Sequence, residues 1–355
     1  MRHCITMTLA ALLVLPAPEA RSGAAPPAAT AAALQKYSPT TQTLAWMFHY
    51  AEAPEPAKTP YAFLTLSKAG SLRDPEQAGV YLGFLAGVLN REGAHADKLL
   101  VQLTILPHED QWILVRALAY SGLSDWKDLM RRLERHIPGR SGMIAAYLDG
   151  SSPVLNEIEL EDAKPSNWDK MKDLVTFSTP EQPPHKPTFE SNSDLLDTLW
   201  GFYFATGDVI PIARLVALLP WSKDRESVAK LTIGNMAAYT LAENASRSAA
   251  LLAMLKAMEK KQPEEVAPVL KEVVRAADTV DTGYLRKQAV ASIEELKLRG
   301  PNSSRNMAMW GQVGEGALSL GCLGAALTGA GAAIGIPCVV GGALTSAGLK
   351  AVAQP

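Results

Sequence analysis

Between residues 41 and 299 apolar side chains recur at i, i+3, i+4 and i+7, and alternating apolar and polar runs are few. That period predicts an all-α body. Asp74-Pro75-Glu76-Gln77 reads as a helix start, with a carboxylate at the cap, proline at the first helical position and glutamine at N3. Tyr81, Phe84, Leu85 and Val88 follow it as one apolar face. Ser124 is placed to cap a helix striped with Trp126, Leu129, Met130 and Leu133, which stops at Ile137-Pro138-Gly139. Asp194 opens another, carrying Leu196, Leu199, Trp200 and Tyr203 up to Gly207, a natural left-handed cap. Further helices are expected over 210–219, 226–244, 246–260, 264–277 and 282–298.

These helices echo one another. Tyr81-Leu82-Gly83-Phe84 resembles Leu199-Trp200-Gly201-Phe202 at an offset of 118, Ala119-Tyr120 matches Ala238-Tyr239 at 119, and Ser124 with Leu129 matches Ser246 with Leu251 at 122. An offset that drifts in one direction is what small loop insertions between two copies of a helical array produce. Gly83 and Gly201 sit inside apolar helices, where glycine costs about 1 kcal/mol relative to alanine, which predicts close helix contact there. The resulting organisation is a signal over 1–24, a Pro/Ala-rich linker and first helix over 25–57, and a first array over 58–150. An acidic and proline-rich linker or insertion follows over 151–192, then a second array over 193–299, a linker over 300–315 and an apolar hairpin over 316–353. The architecture expected is solenoid-like, although the tetratricopeptide and ankyrin signatures are absent.

The last of these segments is the most distinctive. Residues 316–349 contain no charged side chain, and nine are glycine and eight alanine. Ala317, Gly321, Ala325, Gly329 and Ala333 recur every fourth residue, the spacing of a glycine zipper that lets a second helix approach to backbone contact in lipid. Residues 316–336 are long enough, at about 1.5 Å each, to cross a hydrocarbon layer of about 30 Å before Pro337 breaks the helix. The expectation is a hairpin packed small face to small face, in a membrane, against the body, or against another copy.

At the other end, Arg2, the apolar run over 5–15 and small residues near 20–24 read as an export signal, which places the mature chain in the periplasm or cell envelope. Its removal leaves Cys322 and Cys338 as the remaining cysteines, either bridged across the hairpin or held as two buried thiols. A net charge of -2 gives no basic face for nucleic acid.

No catalytic, cofactor or metal motif emerges. The histidines, at 3, 49, 95, 108, 136 and 185, show no metal-ligand spacing, and no GxSxG or Walker-type loop is present. His108-Glu109-Asp110 reads as an acidic first turn complementing a helix dipole, and Arg131, Arg132, Arg135, His136 and Arg140 as a solvated face. Trp200 to Phe204 reads as core. The balance points away from an enzyme and towards an exported protein-interaction scaffold, tethered or self-associating through its C-terminal hairpin. A membrane-active hairpin, or an envelope hydrolase whose carboxylates converge in the fold, are the alternatives from other classes.

Overall fold

The computed structural model describes residues 39–75, 77–161, 188–190 and 193–299. The expected signal, the connection over 162–187 and everything beyond residue 299 lie outside the described residues. The chain runs α1 (Pro39–Phe48), α2 (Thr59–Lys68), α3 (Gly79–Glu92), α4 (Ala96–Leu103), α5 (Trp112–Tyr120), α6 (Trp126–Glu134) and α7 (Ser141–Leu148). The strands β1 (Glu159–Glu161) and β2 (Thr188–Glu190) come next. After them lie α8 (Ser193–Thr206), α9 (Val209–Ala217), α10 (Val228–Ala245), α11 (Ala249–Glu259), α12 (Ala267–Asp278) and α13 (Gly283–Arg299). The body is helical, as its periodicity predicts.

Several starts follow their caps. Asp208 accepts from the Ile210 N–H at 3.2 Å, Ser227 from Lys230 at 3.3 Å and Ser248 from Leu251 at 3.3 Å, each satisfying an orphan donor of a first turn. Ser248, not Ser246, therefore opens α11. Gly207 closes α8 at φ +69°, its N–H donating to Tyr203 O at 2.7 Å. Asp74 is a miss. Its carboxylate accepts from its own turn partner, Gln77 Nε2, at 2.8 Å, and α3 begins only at Gly79 with Ala78 as its cap. Likewise α6 is entered through Asp125, with no side-chain cap bond from Ser124.

The unbroken burial of α3 organises everything else. Every residue from Gly79 to Leu89 is buried, so this helix is apolar all round and lies inside the molecule. Phe84 stands edge-on to Tyr50 and Trp46, with ring centroids 5.1 and 5.3 Å apart, joining α3 to α1. The helix α8 runs along α3 in the same direction, and within it Trp200 and Phe204 stack at 5.5 Å. In a solenoid each unit touches only its sequence neighbours. Here α3 makes its most extensive contact with α8, on the far side of the connection, so solenoid order does not describe this seam.

The strand pair is an element the periodicity does not announce. Glu159 pairs with Thr188, Leu160 with Phe189 and Glu161 with Glu190 in parallel, so the chain leaves the pair at one end, after Glu161, and re-enters it at the other, at Thr188. Arg214 on α9 fixes its base by donating to Leu155 O at 2.9 Å and Ile158 O at 2.8 Å.

Candidate functional site

The most specialised arrangement among the described residues is the seam between α3 and α8. A methyl group on Gly83 would overlap the Thr198 carbonyl oxygen, one on Gly79 the Asp194 carbonyl and carboxylate, and one on Gly201 the Val80 carbonyl. One on Gly87 would sit 2.6 Å from the Ala205 methyl and 2.9 Å from Phe202 O. The helices are therefore in backbone contact, as the two helical glycines Gly83 and Gly201 predict. Arg91 closes one end of the seam, donating from Nη1 to Ala205 O at 3.1 Å, a carbonyl at the end of α8, and to Ala51 O at 3.3 Å in the turn after α1. At the opposite end Asp194 and Asp197, both buried, occupy the first turns of α8, where carboxylates complement the helix dipole.

The polar groups around the seam are structural in their geometry. Trp200 Nε1 donates to Thr240 Oγ1 at 3.0 Å, tying α8 to α10, and Trp112 Nε1 donates to Leu72 O at 3.0 Å, tying α5 to the loop before α3. Asn90 Nδ2 donates to Ser121 O at 2.8 Å at the end of α5. Burial raises the Tyr81, Tyr120 and Tyr147 hydroxyls, and it lifts Tyr50 and Tyr203 to about 12, with the charges of Glu92 and Glu52 respectively adding to the effect. Phenols shifted in this direction stay protonated near neutrality. In that form they can donate hydrogen bonds.

The His108–Asp110 segment forms a 3-10 turn ahead of α5. Asp110 is completely buried and accepts from Ser67 Oγ at 2.5 Å, with Arg73 Nε 3.7 Å from its other oxygen, while Glu109 pairs with Arg73 at 3.2 Å. Three elements are pinned by this cluster: the end of α2, the loop after it and the entry to α5. Nothing in the local sequence around Asp110 signals Ser67, 43 residues away, as its partner. The basic corner is also largely engaged. Arg131 pairs with Asp128 at 2.6 Å, Arg132 with Asp97 at 3.3 Å, and Arg140 donates to the carbonyls of His108 and Glu109. Trp200 and Phe204 are buried, so the aromatic run serves the core.

A small surface depression lies between α10, α12, α13 and the 3-10 turn Leu219–Lys223. Lys223, Asn235, Glu272 and Gln288 form its rim over Ala238, Val269, Val273 and Leu285. Lys223 Nζ stands 3.8 Å from Glu272 Oε2, so the rim's two charges neutralise each other. No three His, Cys, Asp or Glu side chains among the described residues are grouped to hold a metal ion. No described helix is long and apolar enough to cross a membrane. The small-residue face Ala317, Gly321, Ala325, Gly329 and Ala333, and the pair Cys322 and Cys338, lie outside the described residues.

No protein-family model, curated protein or solved structure matches the chain.

Proposed function

We propose that this chain is an exported, non-enzymatic helical protein whose body binds another protein and whose residues beyond Glu315 tether it to a membrane. The observation that carries the tether is the uncharged stretch over 316–349, in which small residues recur at the spacing that supports helix contact in lipid. The body offers a partner exposed apolar groups: Tyr61, Ile105 and Ile210 keep more than half of their surface in solvent. In this reading the arrays over 58–150 and 193–299 are copies of one unit, and the connection between them is an excursion from the β1–β2 base. Nucleic acid is not among the partners, since the net charge is -2.

Fractionation of cells expressing the full chain and a chain ending at residue 311 tests the tether. The full chain is expected in the membrane pellet after alkaline carbonate extraction, with a mature N-terminus near residue 25, and the shortened chain in the soluble fraction. Release of the full chain by carbonate would overturn the tether, and an intact first residue on the mature protein would overturn export.

A further inference from the structure

Three of the glycine contacts along the α3–α8 seam, those of Gly83, Gly87 and Gly201, obey one rule of correspondence. The offset of 118 that aligns Gly83 with Gly201 also aligns Val80 with Thr198 and Gly87 with Ala205. Gly83 lies against the carbonyl of Thr198, and Gly201 lies against the carbonyl of Val80. Each glycine thus meets the residue equivalent to the one its counterpart meets. Gly87 lies against Ala205, its own equivalent. Reciprocal contacts of this kind, with self-contacts on the axis, define an isologous interface. The two helices run in the same direction, so the axis lies along them.

The surrounding elements repeat in order and in packing. Both α3 and α8 have 14 residues, α8 beginning and ending four residues earlier than the offset of 118 would place it. Each is followed by a short helix, a 3-10 turn (His108–Asp110 or Leu219–Lys223) and three more helices, the first unit carrying two further 3-10 turns, Gly93–His95 and Pro138–Arg140, without counterparts in the second. The packings α3 on α4, α3 on α5, α5 on its 3-10 turn, α5 on α6, α5 on α7 and α6 on α7 recur as α8 on α9, α8 on α10, α10 on its 3-10 turn, α10 on α11, α10 on α12 and α11 on α12. The contacts of α4 with α6 and of α9 with α10 have no such counterpart, and the paired contacts differ in extent, α5 touching its 3-10 turn far less than α10 touches its own.

We infer that the seam is the interface of a symmetric pair contained in one chain, with 79–148 and 193–278 as its equivalent units and an internal two-fold axis along α3 and α8. The partner that the glycine face of α3 fits is a copy of itself, supplied here by α8. This inference rests on reading the two arrays as copies. It is tested on seam residues, and the tether on 312–355, so either can fall alone.

The decisive experiment moves one methyl group across the axis in the full chain. Gly87→Ala alone places two methyl groups on the axis and is expected to lower Tm by roughly 5 °C or more. Combined with Ala205→Gly, the methyl stands where the axis maps the one that α8 already carries against α3, and Tm is expected to return to within about 2 °C of the parent. A second exchange, Val80→Thr with Thr198→Val, is expected to be better tolerated than either single change. A Gly87→Ala chain as stable as the parent, or a Gly87→Ala/Ala205→Gly chain no more stable than Gly87→Ala alone, overturns the two-fold seam.

Discussion

Val280 is the one described residue other than glycine with a positive φ, at +55°, and it ends α12 as glycine ends other helices. Its N–H donates to Ala277 O at 3.3 Å and that of Asp281 to Ala276 O at 3.0 Å, the bond pattern of a Schellman cap. A β-branched side chain in the left-handed region is opposed by roughly 1–2 kcal/mol of steric strain, and Val280, 72% exposed, buries too little surface to offset it. Val280→Gly is therefore expected to raise stability by about 1 kcal/mol, the relief exceeding the extra backbone entropy glycine loses on folding. Urea denaturation at unchanged m checks this, and a lower midpoint would contradict it. The contrast with Gly207 shows what is legible at this scale. Gly207, at φ +69°, is readable because glycine itself is the signal for a left-handed cap. Val280 adopts the same conformation as part of its local cap, although its identity argues against it.

Elements are legible where the signal is local. The caps at Asp208, Ser227 and Ser248 satisfy donors two or three residues on, so the starts of α9 to α11 lie near their sequence marks. Asp74-Pro75 fails because its carboxylate closes a turn on Gln77 instead of capping the helix. The strand pair fails because three residues pair with three others across a long excursion, and no period of two can develop in so short a run. For the seam, glycine inside the apolar helices foretells close contact, but which helix approaches which is set by shape complementarity across the chain. The seam's tolerance of methyl groups then separates contact from mere helix propensity. Gly142, near the start of α7, has nothing within 4 Å of a methyl group, so Gly142→Ala is expected to stabilise by about 0.5 kcal/mol. Gly83→Ala gains the same propensity yet drives a methyl into the Thr198 carbonyl, and a net loss of about 1–3 kcal/mol is expected from overpacking. Thermal unfolding of the two variants should move Tm in opposite directions; equal shifts would mean that α3 and α8 are not in backbone contact.

Across the whole molecule, the aromatic residues that fill the core also set its response to alkali. Tyr50, Tyr81, Tyr120, Tyr147 and Tyr203 all have raised pKa values, chiefly through burial, and belong to α3, α5, α7, α8 and the turn after α1. In the unfolded chain a tyrosine ionises near pH 10. In the folded chain Tyr50 and Tyr203 hold their protons to about 12. Between these limits the unfolded state binds fewer protons than the native state, so stability falls as pH rises. Below the unfolded value both states are fully protonated and the contribution is complete. The urea midpoint is accordingly expected to show no tyrosine-linked change from pH 7 to 9, then to fall steeply from about pH 10 upward. Because these side chains share one core that spans both halves, their ionisation should be cooperative: the phenolate absorbance of the buried tyrosines should appear together with loss of the helical circular dichroism. Phenolate absorbance from the buried tyrosines near pH 10, with helical signal intact, would show that their hydroxyls reach solvent and that the halves are not closed over α3 and α8.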